Sequence, residues 1–129
     1  MMLNRRELLA MIGIGVGGLV TGCGTSREPN YTVVIRNAAV FDPATLVVPV
    51  GSVVAWHNRA DRVHTITADP AQAQLPARVI LPPGVTPFDS GNVFAGERWV
   101  YRFETPGTYV YFCRYHELDE MLGAITVVA

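Results

Sequence analysis

Lysine is absent from the 129-residue chain, and its ten basic residues are all arginine. Eleven acidic residues oppose them, giving a formal charge of −1, a balance that does not call for a polyanionic partner. Charged residues make up only 16% of the chain against 50% apolar, which excludes a disordered acidic tail and a basic nucleic-acid-binding module. The length leaves room for one ordinary domain and no second core, so a multidomain enzyme is excluded as well. Side chains with metal or redox chemistry are scarce: two cysteines, three histidines and four methionines. Each can therefore be weighed individually.

Long apolar runs are also missing. Residues 8–20 are uninterrupted by charge, but the run is thirteen residues long and carries Gly13, Gly15, Gly17 and Gly18. A bilayer-spanning helix needs roughly 20. Arg5 and Arg6 precede this run, and a basic region followed by a short apolar one is the pattern of an export signal. The segment Leu19-Val20-Thr21-Gly22-Cys23 resembles a lipobox, in which the cysteine is lipidated and becomes the new N-terminus. Asn4-Arg5-Arg6-Glu7-Leu8-Leu9 resembles a twin-arginine signal, with Sec export as the alternative. The expected organisation is a signal over 1–22, a lipid-anchored tether over 23–30 and one domain over 31–129. Cys23 would tie that domain to the outer face of the cytoplasmic membrane, in the periplasm or at the cell surface.

From Tyr31 onward, runs rich in Val, Ile, Tyr, Phe and Trp alternate with Gly, Pro, Asn and Asp, and no ten-residue stretch has a helical period. The pattern predicts an all-β chain with strands at 31–36, 39–41, 45–48, 52–58, 63–68, 97–104, 108–113 and 124–128. About eight short strands in about 100 residues suggest a two-sheet sandwich. Between 69 and 92, five prolines (Pro70, Pro76, Pro82, Pro83, Pro87) remove backbone donors and predict a long loop.

With Cys23 assigned to a lipid, Cys113 is the remaining thiol in a chain read as exported to an oxidising compartment. His116 follows it by three residues and Met121 by a further five, so thiolate, imidazole and thioether share one short loop. A second imidazole, His64, lies about fifty residues upstream in Val63-His64-Thr65-Ile66-Thr67. Two imidazoles and one thiolate form a nearly trigonal set that copper accepts in both oxidation states, with a distant thioether tuning its potential. Zinc would call for a better fourth ligand than methionine. Each residue also has an ordinary reading: Cys113 as a small buried hydrophobe, His116 as a solvated loop residue, Met121 as core. His57, in Ala55-Trp56-His57-Asn58, is the competing imidazole, although strand alternation sends it to the face opposite Trp56.

At these residues the sequence resembles the cupredoxins, the blue-copper electron carriers. The stretch from Phe41 to Asn58 resembles the family's approach to its first histidine ligand, which maps to His64. Phe88-Asp89-Ser90-Gly91, Thr105-Pro106-Gly107-Thr108 and the closing Gly123-Ala124-Ile125-Thr126-Val127 fit as well, and the spacing of Cys113, His116 and Met121 is that of plastocyanin and pseudoazurin. The resemblance implies a Greek-key β-sandwich of about eight strands holding one type 1 copper ion through His64, Cys113, His116 and Met121. It implies a monomeric one-electron carrier that meets redox partner proteins and transforms no small-molecule substrate. The sequence departs from plastocyanin at Tyr115, where that family usually has proline, and in Glu117, Asp119 and Glu120, which suggest an acidic cluster steering a cationic partner.

Three other readings stand beside this one. An extracytoplasmic copper chaperone or buffer would use the same ligands without electron transfer, and a lipid-anchored sandwich could serve as a metal-free accessory module. A Cys113–His116 nucleophile pair lacks an evident orienting acid. Within the wider copper families, multicopper oxidases and copper nitrite reductases need more histidines and more domains than this chain has, and a binuclear copper-A centre needs two nearby cysteines.

Overall fold

The computed structural model describes residues 28–129; the expected export signal, Cys23 and most of the tether lie outside them. Nine strands follow in order: β1 (Tyr31–Arg36), β2 (Val40–Asp42), β3 (Thr45–Pro49), β4 (Val53–Asn58), β5 (Thr67–Ala68), β6 (Phe88–Asp89), β7 (Arg98–Arg102), β8 (Gly107–Phe112) and β9 (Leu122–Val128). They form two mixed sheets, one ordered β2-β1-β4-β7 and the other β3-β9-β8-β5-β6. No α-helix occurs among the described residues, and three 3-10 turns punctuate the loops at Pro70–Gln72, Pro76–Arg78 and Glu117–Asp119.

Period-2 patterning explains the layers. In β1 the sequence Tyr-Thr-Val-Val-Ile-Arg sends Val33 and Ile35 inward, both fully buried. β1 runs parallel to β4, from Tyr31 opposite Val54 to Ile35 opposite Asn58. In the other sheet β9 pairs antiparallel with β8 and parallel with β3. Trp56 of β4 and Tyr111 of β8 meet between the sheets edge to face, their ring centroids 5.4 Å apart, and Phe41 closes on Tyr111 at 4.8 Å. The first sheet begins at Asn30, whose amide donates to the Val53 carbonyl at 2.8 Å while its Oδ1 accepts the Val53 amide at 2.8 Å.

The expected all-β sandwich is therefore present, with corrections to its strands. The strand expected over 63–68 contracts to β5, preceded by an isolated bridge in which His64 and Val93 exchange backbone hydrogen bonds of 3.1 and 2.8 Å. The cause is local. The amides of Thr65 and Ile66 donate to Cys113 Sγ at 3.4 Å and to Ser90 Oγ at 2.8 Å, so neither is available to a ladder. The second correction is β6, a strand inside the stretch read as loop. Phe88 stacks on Tyr101 with centroids 4.1 Å apart, while Asp89 and Phe88 pair with Thr67 and Ala68. The strand expected at 39–41 also moves by one residue, because Ala39 has a left-handed φ of 59°.

The core contains one polar mismatch with a measurable consequence. The Tyr111 hydroxyl finds no hydrogen-bond partner of good geometry among the described residues. Burial pushes its ionisation well above the usual tyrosine range, and the adjacent Trp56 indole N–H, itself without a good partner, offsets this only in part. Unfolding frees the phenol to ionise near pH 10, so its contribution to stability is complete below that pH and is lost as pH rises through the interval up to the folded value. Urea unfolding between pH 9 and 11 is expected to show stability falling by up to about 1.4 kcal/mol per pH unit from this group. Tyr111→Phe should remove that part of the slope while leaving stability at pH 7 unchanged or slightly raised.

Candidate metal centre

Strand β8 delivers Cys113 at its end, and the next eight residues return to β9. The Cys113 amide donates to the Met121 carbonyl at 3.2 Å, closing the loop at its base. Within it the amides of Asp119 and Met121 both donate to the His116 carbonyl, at 3.1 and 3.2 Å, and the His116 amide donates back to Cys113 O at 3.1 Å. These bonds hold His116 at the loop's crest, partly exposed, whereas Cys113 and Met121 are buried.

His64 reaches the same place from the other side. Fully buried Asn58, at the end of β4, donates from Nδ2 to the carbonyls of Arg62 and Val93 and accepts the Ala60 amide, fixing the turn that leads into His64. The His64–Val93 bridge then turns the imidazole inward, where it is 2% exposed. Cys113 Sγ lies 3.6 Å from His64 Nδ1 and 3.7 Å from His116 Nδ1, and the two imidazole centroids are 5.0 Å apart. This is the one group of three or more histidine, cysteine or carboxylate donors gathered at metal-binding distance among the described residues, with all ligand atoms within 4.8 Å. His57 stays apart, half-buried in mid-strand opposite Arg98.

The sulfur has an oriented surrounding. Thr65 N–H points at Sγ, and Thr65 Oγ1 accepts the Arg114 amide at 2.9 Å. Thr65 and Thr67 share a hydroxyl hydrogen bond of 2.9 Å, and Thr67 Oγ1 donates to Asp89 Oδ1 at 2.6 Å. The Arg114 guanidinium returns to Asp89 at 3.3 Å. A closed chain of polar groups thus ties the residue after Cys113 to β5 and β6. Burial, the neighbouring His116 ring and the Arg62 guanidinium hold the His64 pKa below its ordinary value, keeping the imidazole neutral with a lone pair to offer. Beside the two imidazoles opens a polar cleft of about 300 Å³ lined by Asn37, Ala39, Asp61 and Arg62.

The sequence matches copper binding proteins of the plastocyanin/azurin family over residues 30–128. The chain belongs to that family. It is 34% identical to the chloroplastic plastocyanin of Tetradesmus obliquus over 115 residues, covering 89% of this chain and 77% of the relative. It is also 34% identical to the plastocyanin of Scenedesmus fuscus over 90 residues, covering 70% and 88%. Among solved structures, a purple cupredoxin from Nitrosopumilus maritimus is 26% identical with a TM-score of 0.60, matching 77% of this chain and all of that one. A methionine-to-leucine variant of amicyanin, 21% identical, shares the fold at a TM-score of 0.62 over 81% and 88% of the two chains.

Cupredoxin chemistry agrees with the donor set on its own terms. Three donors in a plane at bonds of about 2.1 Å, as for metal–imidazole bonds, lie about 3.6 Å from one another. The observed sulfur-to-nitrogen edges of 3.6 and 3.7 Å meet that requirement. One thiolate and two neutral imidazoles are a soft to intermediate set that suits copper. His64, Cys113 and His116 can therefore hold the one copper ion that the family binds, and Met121 closes the loop beneath them.

The expectation of an acidic steering cluster is corrected. Glu117 is 2% exposed, with its carboxylate on two backbone amides, and Glu120 pairs with Arg78 at 2.5 Å, which leaves Asp119 as the one exposed member of the three without an ion pair among the described residues. The apolar side chains Tyr115 and Leu118 are exposed on the same loop, at 50% and 62%. Sequence reasoning also missed Glu117 and Glu120 as structural partners of the proline-rich segment. Their partners lie 39 to 43 residues away, and no local pattern announces the pairing.

Proposed function

We propose that the protein is a one-electron carrier whose type 1 copper is held by His64, Cys113, His116 and Met121. The observation that carries this reading is the preformed triangle of one buried sulfur and two imidazole nitrogens at the end of a rigid sandwich. The copper supplies the one-electron couple. The chain's part is to present three ligands already in place, so that little rearrangement accompanies a change of charge. Thr65 N–H steadies the sulfur, and the Asn58 turn holds His64. His116 is the ligand nearest solvent and offers the short route to a partner, with exposed Leu118 and Tyr115 as an apolar contact surface beside it.

The plastocyanin relatives support a carrier over an enzyme, and so does the count of three histidines, one of which stands outside the site. A copper-containing nitrite reductase from Thermus scotoductus shares the fold at a TM-score of 0.61 with 26% identity, but this chain covers only 25% of it. We place the carrier, a monomer as the family resemblance implies, on the outer side of the cytoplasmic membrane; the N-terminal sequence supports that location and a lipid anchor at Cys23.

The test is to load the purified domain with Cu(II) and record its visible spectrum and its voltammetry. An intense blue thiolate-to-copper band and a reversible one-electron couple with fast exchange are expected. Copper that binds without a reversible couple, and passes to a competing chelator, would replace the carrier with a chaperone or buffer.

A further inference from the structure

We infer that Glu117 is a positioning residue for the copper loop, and that the proline-rich segment it grips is the loop's outer wall. This rests on the ligand assignment proposed above. The loop from Cys113 to Met121 contains no proline and pairs with no strand, so its shape depends on hydrogen bonds made across it.

Glu117 supplies the strongest of these. A carboxylate that is 2% exposed is costly unless fully compensated, and here both oxygens are occupied. Oε1 accepts the Gln74 amide at 2.9 Å and Oε2 accepts the Leu75 amide at 2.8 Å, both charge-assisted bonds to backbone donors. The Glu117 carbonyl accepts Arg78 Nη1 at 3.0 Å, and Arg78 Nη2 reaches Glu120 at 2.5 Å. All four bonds connect 74–78 to 117–120, the span between His116 and Met121.

The segment they grip is itself built to resist movement. Gln74 and Leu75 sit between two 3-10 turns, each opened by a proline that fixes its φ. Asp69 Oδ1 accepts the Ala71 amide at 3.0 Å, starting the first turn one residue after β5. Beyond the second turn Ile80 bridges to Val110 of β8, with backbone bonds of 3.4 and 2.9 Å, three residues ahead of Cys113. The wall is thus moored to β5 at one end and to β8 at the other, and it presents two free amides to the one buried carboxylate of the ligand loop. Two sequence features, the run of prolines and the glutamate after His116, become one device.

The test uses Glu117→Gln, which keeps the shape but sets an amide NH2 against a backbone N–H, and Arg78→Ala, which loosens the same span from outside. In the metal-free protein, amide hydrogen exchange at 74–75 and 116–121 should accelerate by about 10-fold or more in Glu117→Gln and by less in Arg78→Ala, while the β4 and β8 amides keep their rates. In the loaded protein, Glu117→Gln should retain a blue band but shift its copper hyperfine splitting and release copper to a chelator about 10-fold faster. Unchanged local exchange and release would overturn the inference, as would acceleration spread evenly over the whole sandwich. If wild-type protein gives no blue species, the ligand assignment fails, whereas the exchange measurement still decides whether Glu117 braces the loop.

Discussion

Cys113→Ser is expected to abolish the intense visible absorption of the copper-loaded protein completely, not merely to weaken it. That band requires a thiolate, and the serine hydroxyl neither ionises near neutral pH nor shares electron density with copper as sulfur does. Cys113 is the one cysteine among the described residues, and the only thiol that they bring to the site. Copper affinity should fall by more than the roughly 10- to 100-fold that loss of an outer-shell partner typically costs. The fold should survive, because serine is smaller and the Thr65 and Met121 backbone groups that meet Cys113 remain. Visible and paramagnetic-resonance spectra of the variant beside a far-ultraviolet dichroism control give the answer. A surviving blue band would remove the sulfur from the ligand set.

Gly123→Ala is expected to be the most damaging small substitution in the sandwich. Gly123 stands opposite Tyr111 in the β8–β9 ladder, and a methyl group there would overlap the tyrosine ring and its hydroxyl. The ring cannot retreat, since Phe41 and Trp56 close on it at 4.8 and 5.4 Å. Overpacking of a tight core costs about 1–3 kcal/mol. For a domain of this size that lowers the melting temperature by about 5–20 °C. Because Gly123 lies two residues beyond Met121, copper release should quicken in parallel. A melting temperature within a degree or two of wild type would mean that the core is looser at this point than its geometry indicates.

Much of this architecture is legible in the sequence because its determinants are local. Alternating β-branched and aromatic residues define β1, β4 and β8 directly, and Cys113, His116 and Met121 fall on one loop, so their spacing alone suggests a shared site. His64 is legible as a partner only through chemistry, since two imidazoles and a thiolate make sense together. The contracted strand at β5 is not legible, because the donors that would have formed its ladder are claimed by Cys113 Sγ and Ser90 Oγ from distant segments. Glu117 reads as a solvated charge for the same reason: its two amide donors stand 42 and 43 residues away in sequence.

The hydrogen-bonded pairing of Asn30 with Val53 fixes where the chain enters the sandwich. Five residue steps of β1, about 17 Å at the usual strand rise, separate Tyr31 from Arg36, just short of the Asn37 that lines the cleft beside His64 and His116. The first strand therefore begins at the pole opposite the imidazoles. A domain grafted to a lipid film or an electrode by its leading end would stand with its conducting tip outward, so it would trade charge readily with visitors from solution and poorly with the support beneath it.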